Sequence, residues 1–428
     1  MRLSNIQELS VRPTSSVLDF EDGNFEMERM KRKLQVDAVI EGTIVEFANE
    51  VRVTARLVRL SDSSTIWSQQ FSQSRDNEAD LQHEIALSVA DALAINLSGD
   101  ERHSLTKRYT ESGDAMRLYQ RGRYHWNKRS KEGIVEAQRL FRNAVDMDRN
   151  FAAAYVGIAD TLIFGFEIDE AAAAVDRALN LDPNLSEAYA TRGFIHMFHG
   201  WDWARAESDL KRAIEINPGY ATAHQWYASL LMIRGRHEDA KAKLKDALAI
   251  NPMSYNLLSD LAQAHYYAGD YARAAEYGSR ALELYPDFLP AHGILSDVYF
   301  QMGENDKAIN EKVLQLGLLS VEPNQTKEQS SAAMRAADEH LAIYRRVGIE
   351  GYWKLIAREP EASSKNANKF ISSARAYLNI GEPEKALDLL EKAVSERAFL
   401  APFISADPVW NSMRSDARFK NILGRMNL

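Results

Sequence analysis

Apolar positions in the middle of the chain recur at the spacing of one helical face. In "GRHEDAKAKLKDALAINP", Ala240, Leu244 and Ala247 stand at i, i+4 and i+7, and Pro252 follows five residues later. "GDYARAAEYGSRALELYP" repeats the arrangement with Ala274, Gly278, Ala281 and Pro286, and "WDWARAESDLKRAIEINP" with Ala206, Leu210, Ala213 and Pro218. This spacing puts the three residues on one side of an α-helix, and small side chains at its ends let a second helix come close. The proline cannot continue the helix and pushes the residue before it out of α geometry. Pro183, Pro218, Pro252 and Pro286 are 35, 34 and 34 residues apart. The pattern therefore predicts successive helical hairpins, with one proline separating each from the next.

A helix–turn–helix unit of this length and small/large pattern resembles the tetratricopeptide repeat. The register predicts repeats at 113–149, 150–183, 184–218, 219–252, 253–286 and 287–320, with short insertions at "FGFEIDE" and "FHGWDW". The sixth is degenerate: Ala308 fits, but Lys312 and Gln315 replace an apolar and a small residue. A last unit, "ISSARAYLNIGEPEKALDLLEKAVSERA", restores the pattern with Ala374, Tyr377, Ala386, Leu390 and Ala393. Residues 321–367, with the polar "VEPNQTKEQSS", read as helices packed on the array outside the standard repeat.

Residues 1–100 have another rhythm. "FEMERMKRKLQ" reads as an amphipathic helix, while "DAVIEGTIVEF" and "VRVTARLVRL" are β-rich runs joined by a tight turn at Ala48-Asn49, where Asn tolerates a positive φ. "STIWSQQFSQS" reads as a third strand and "NEADLQHEIALSVADALAINL" as a helix starting near Asp76 or Asn77. The order β, α, β, β, β, α is that of a small α+β sheet domain. "LQVDAVIEGTIVEFANEVRVTARLVRLSDSSTIWSQQF" resembles the TolB-amino-terminal-type domain that precedes tetratricopeptide arrays in bacterial regulators. "LTKRYTESGDAMRLYQRGRYHWNKRSKEG" is similar to the usual junction, and "FISADPVWNSMRSDARFKNILGRMNL" to the customary C-terminal cap. The resemblance implies the regulatory half of a winged-helix regulator, nucleotide cyclase or protein kinase. It also implies an opening strand that is missing here. The exposed sheet edge would then be covered by residues encoded upstream, the favoured case, or by a second copy in a homodimer.

The expected fold is mainly α: a tetratricopeptide-type α–α superhelical solenoid behind a small α+β domain. The domain map is 1–100 for the truncated α+β domain, 101–320 for the repeats, 321–398 for a helical segment with a last repeat, and 399–428 for the cap.

Composition narrows the function. The chain has 428 residues, 52 Lys plus Arg against 61 Asp plus Glu, and no cysteine. A formal charge of −9 argues against a general nucleic-acid or anionic-membrane surface. Absent cysteine excludes disulfides, thiol catalysis and Cys-bound zinc. No apolar run reaches the ~20 residues of a membrane helix, and a cytoplasmic location is expected. No phosphate-binding, nucleophile-elbow or H-E-x-x-H motif is present, so neither enzyme activity nor a cofactor is expected. His196 and His199 offer at most half a metal site. Residues 107–133 hold eight basic and three acidic residues among Tyr119, Tyr124 and Trp126. A solvated helix face with packed aromatics is favoured there over a nucleic-acid patch.

The resemblance implies a concave groove lined by the first helix of each repeat. Counting from the register selects Tyr119, Arg123, Trp126, Phe194, Met197, Gln225, Met232, Gln263, Tyr266, Asp297 and Phe300. The chaperone-binding subfamily clamps a carboxylate with Lys and Asn at such positions, and here only Arg123 and Asn127 come near. The expected partner is a protein or peptide with an apolar or aromatic segment and a few amide contacts. Alternatives are a detached regulatory half of a cyclase or kinase, and a nucleic-acid binder using the 107–133 patch.

Overall fold

Pairs of antiparallel helices make up most of the chain behind a three-stranded sheet. The computed structural model describes residues 3, 6, 9, 11, 12, 27–74, 78–93, 95, 109–128, 130–165, 167–320, 327–357 and 367–428. The chain divides into two compact units. The first holds Met1–Ile195, Ser208–His224 and Asp246–Met253; the second holds His196–Glu207, Gln225–Lys245 and Ser254–Leu428.

In the first unit, strands β1 (Ala38–Glu46), β2 (Glu50–Arg59) and β3 (Thr65–Ser74) pair antiparallel in the order β1-β2-β3. Val53 stands opposite Ile44 on one side and Phe71 on the other. The helix Glu78–Ala92 covers this face at β2 and β3, and Val51, Ala55, Phe71 and Leu81 form the core beneath it. The β1–β2 turn falls at Ala48-Asn49 as expected, but Asn49 is not among the residues with positive φ. The helix Met27–Leu34 buries Met30 and Leu34 against Val36, Val39 and Met253. No strand precedes this helix among the described residues.

Helices Gly113–Asn127 and Lys131–Met147 form the first pair, and Ala152–Gly165 and Ile168–Leu181 the second, before Ser186–Ile195. The Ser112 and Ser130 side chains cap the first two helices by accepting from Ala115 and Gly133 amides, donors a helix start otherwise leaves unsatisfied. Helices Trp203–Ile216, Ala221–Ile233 and His237–Ile250 each run from one unit into the other.

The second unit pairs Tyr255–Tyr267 with Tyr271–Leu284, Leu289–Gln301 with Asn305–Ser320, and Asn368–Asn379 with Pro383–Ser395. Between the last two pairs, Lys327–Ile356 is broken at Gly348, whose φ of 68° and ψ of −177° are not helical. The cap consists of two 3₁₀ turns, Ala401–Ser405 and Pro408–Met413, and the helix Ala417–Gly424.

The small/large/small positions read from the sequence are buried: Ala206, Leu210 and Ala213; Ala240, Leu244 and Ala247; Ala274 and Ala281. Gly278 is small because Leu295 fills its space; a β-carbon there would lie 2.9 Å from the Leu295 side chain. The degenerate sixth repeat is resolved similarly. Gln315 fits because Gly293 faces it, where a β-carbon would lie 2.3 Å from Gln315 Nε2. Lys312 donates to Gln315 Oε1 at 2.9 Å.

Three of the four proline turns, those at Pro183, Pro218 and Pro286, share one closing contact. Asp182 and Tyr285, each before a proline, are extended. A side chain six residues downstream then meets the turn carbonyl: Tyr189 that of Pro183 (3.1 Å), His224 that of Pro218 (2.9 Å) and His292 that of Pro286 (2.8 Å).

Candidate functional site

The eleven expected groove residues split by burial. Tyr119, Trp126, Phe194, Met197, Met232 and Tyr266 are buried core, which corrects the expectation that they line an open surface. Tyr119 packs between Phe141 and Phe151, with ring centroids 5.6 and 5.1 Å away. Trp126 is 1 % exposed and carries the Arg123 guanidinium over its ring at 4.2 Å. Met197 belongs to a π-helical turn, His196–Gly200, that also takes His196 and His199 off a regular helical face.

The other five are half-buried, and each has a partner. Arg123 donates to the fully buried Asp160 at 2.8 Å, and Asp160 also accepts from Thr191 at 2.7 Å. Arg123, one of the two residues that came near a carboxylate clamp, is thus engaged with an internal carboxylate. Gln225 donates to Asp260 at 2.6 Å and Gln263 to the Tyr267 hydroxyl at 3.0 Å. The aromatics of the 107–133 stretch divide: Tyr119 and Trp126 are core, while Tyr124 is exposed.

In the second unit the C-terminal segment packs on residues of the repeats. Phe399 stacks on Phe198 at 4.5 Å, and Phe403 lies 5.9 Å from Tyr267. Ser405 donates to the Ile233 carbonyl at 2.7 Å, and Tyr266 donates to Asp407 at 2.9 Å. Trp203 donates through Nε1 to the Met426 carbonyl at 2.9 Å. Tyr266 is therefore closed off by the chain's own cap. Sequence periodicity could not show this, because Asp407 lies 141 residues downstream.

Arg375 joins the last repeat to this arrangement, donating to both Asp297 and Asp407. Burial works against the Arg375 charge, but the two carboxylates outweigh it and hold the guanidinium well above its usual range. Burial likewise pushes the Asp407 carboxyl up, opposed by Arg375, and raises the Tyr266 hydroxyl beside Asp407. Lys312 is lowered by burial, against the pull of Asp297.

Next to this cluster lies a cavity of about 300 Å³ that brings together three of the expected groove residues, Tyr266, Asp297 and Phe300. Its remaining wall is Gln301, Asn305, Ile349, Glu350, Trp353, Arg375, Asn379 and Val409. Phe300 and Trp353 rings are 4.9 Å apart, and Arg375 Nε has no hydrogen-bond acceptor among the described residues. The site thus combines an aromatic wall with three amide side chains. Asn305, Trp353 and Asn379 were not selected from the sequence, because two of them lie beyond the regular repeats that set the count. Among the described residues no group of three His, Asp or Glu could hold a metal ion.

Comparison with known proteins bears on the same regions. The description "Tetratricopeptide repeat" matches residues 202–252 and 265–311, and "FlgO protein" matches residues 22–77. The chain is 22% identical over 157 residues to a Rhizobium meliloti (strain 1021) protein provisionally named adenylate cyclase 3, covering 37% of this chain and 27% of that one. It is 23% identical over 244 residues to DnaJ protein P58IPK homolog B of Oryza sativa subsp. japonica, covering 52% and 51%. Among solved structures, the Cut9-Hcn1 hetero-tetramer of the APC/C aligns with a TM-score of 0.47 at 17% identity, over 80% of this chain and 60% of that chain. The chain thus spans between about a quarter and a half of these two curated relatives. It carries tetratricopeptide repeats, a helical scaffold for protein interaction. No helix among the described residues is long and apolar enough to cross a membrane.

Proposed function

We propose that this chain is a non-catalytic interaction module, the sensory or scaffolding part of a bacterial signalling or transcriptional regulator, and that it holds a peptide segment at the cavity beside Phe300 and Trp353. The cavity carries this reading. A pocket of a few hundred cubic ångströms with an aromatic wall and a few convergent polar groups suits one apolar side chain and its flanking backbone. Gln301, Asn305 and Asn379 offer amides for that backbone. The groove is consequently narrower than the eleven-residue surface expected from the repeat count.

A second reading, the detached regulatory half of a nucleotide cyclase, is favoured by the similarity to the Rhizobium meliloti protein. Both readings have the chain act by binding.

A peptide library displayed on phage, selected against the full chain, tests the site. The best peptide is then titrated by fluorescence anisotropy against the wild type and the Asn305→Ala/Asn379→Ala variant. At least a tenfold loss of affinity with an unchanged melting temperature is expected. Equal binding by wild type and variant removes the cavity from the proposal. Affinity that collapses steeply with salt for an oligonucleotide, with no peptide selected, would favour the nucleic-acid alternative.

A further inference from the structure

Strand β1 is paired on one side only among the described residues, and it is unusually apolar for an edge. Ile40 and Val45 are 47% exposed and Ile44 68%. The helix Glu78–Ala92 covers β3 and β2, so the Ile40 and Ile44 side chains extend the covered apolar face into solvent. The opposite edge, β3, is polar: Ser68, Gln69, Gln70, Ser72, Gln73 and Ser74. Natural edges are usually blunted by Lys, Pro or a bulge, and β1 has none of these between Ala38 and Glu46.

The backbone direction of this edge is set. Phe47 N–H donates to the Glu50 carbonyl, and Leu60 N–H to the Asp37 carbonyl, each at 2.8 Å. In an antiparallel pair, opposed residues alternate between exchanging hydrogen bonds and exchanging none. Odd-numbered β1 residues therefore bond towards β2. Ala38, Ile40, Gly42, Ile44 and Glu46 turn their N–H and C=O groups outward.

Those outward residues are self-complementary. We propose that β1 is a dimerisation edge, pairing antiparallel with β1 of a second copy about a two-fold axis at Gly42. In this register Gly42 meets Gly42 of the second copy, Ile40 meets Ile44, Val39 meets Val45 and Glu41 meets Thr43. Each outward N–H and C=O finds its counterpart, and two Ile40–Ile44 pairs close one apolar strip across the axis. Moving the pairing one step one way sets Glu41 against Glu41, and one step the other way sets Glu41 against Val45 and Glu46 against Ile40. Of the three registers only the Gly42-centred one opposes Ile40 with Ile44; it keeps like charges from facing, leaves Ala38 against Glu46 at the strand ends, and finds Glu41 already held by Arg56 at 2.6 Å. An isologous contact of this kind closes as a dimer instead of growing into a filament. The inference is independent of the peptide site.

Gly42 itself is no probe, because a β-carbon there would lie 2.2 Å from the Thr54 carbonyl oxygen. Light scattering after size exclusion should give the mass of two chains for the wild type. Ile44→Lys, at an exposed site, should give the mass of one chain with an unchanged circular-dichroism spectrum. The register is read by crosslinking in this cysteine-free chain. Opposed non-hydrogen-bonded residues have Cα atoms about 4.5 Å apart, within disulfide reach, whereas diagonal neighbours are about 7–8 Å apart. Co-expressed Glu41→Cys and Thr43→Cys chains should therefore oxidise to a covalent dimer that neither forms alone. A monomeric wild type, a dimer indifferent to Ile44→Lys, or crosslinking as strong in either single variant would each overturn the proposal.

Discussion

Gly157 faces the ring of Phe141 so closely that a β-carbon at that position would lie 2.7 Å from two ring atoms. Gly122 presses from the neighbouring helix, where a β-carbon would lie 2.5 Å from the same ring. Phe141 is fully buried and cannot retreat. Gly157→Ala should therefore cost about 1–3 kcal/mol by overpacking, outweighing the ~1 kcal/mol that Ala gains over Gly in a helix. Urea midpoints measure this. Adding Phe141→Leu to Gly157→Ala should recover part of the loss, as expected for residues in contact.

Gly269 should respond for a different reason. Its φ is +78°, and a β-carbon would meet nothing within 4 Å. Gly269→Ala should cost about 1–2 kcal/mol through backbone strain alone, and Gly269→Asn less, since Asn tolerates the left-handed region. Equal losses in the two variants would show that something other than φ is at stake.

Trp126, Met232 and Tyr266 are each no more than 1 % exposed. Changing any one to Ala should lower stability by about 2–5 kcal/mol, the range for buried side chains. Thermal melts check this, and a variant that melts like the wild type would return that residue to the list of surface candidates.

Asp160 and Arg123 form a buried pair at 2.8 Å, with Asp160 fully inaccessible. Asp160→Ala strands a cation in the interior and should cost about 3–5 kcal/mol. Adding Arg123→Met should restore stability relative to that single change, because the stranded charge is gone. Chemical denaturation of the four proteins in the cycle gives the coupling energy.

His265 should make stability depend on pH. It is buried, stacks on Tyr277 at 5.3 Å and points Nδ1 at Asp270 at 3.2 Å. Burial, then Lys241, hold its pKa below the usual 6.5 despite Asp270. A depressed pKa means that the folded state binds the proton less readily than the unfolded one. The contribution is therefore full above about pH 6.5 and is lost as pH falls through the folded-state pKa. His265→Gln should flatten the decline of the urea midpoint below about pH 6.5 without removing it, since burial also lowers His237 and His340.

The hairpins were legible because their causes are local. Ala240, Leu244 and Ala247 lie within one helix, and Pro252 stops it through its own ring. The β1–β2 pairing was legible through its alternation and its short turn, although Asn49 proved not to need a positive φ. The expected groove was only a set of positions counted from the repeat register. Whether such a position opens to solvent depends on what returns to cover it, as Asp407 covers Tyr266.

The sequence by itself determined the helix–turn–helix period, the sheet that precedes it and the absence of cysteine chemistry, since each follows from residues close together or from composition. Tertiary structure alone decided which side chain fills each gap: Phe141 between two glycines, Leu295 over Gly278, Gln315 against Gly293. It also decided that the acceptors for Arg375 would be Asp297 and Asp407, far from it in the chain. The reason is that close packing and burial of charge are satisfied between elements, and the periodicity of one element carries no information about the shape of its neighbour.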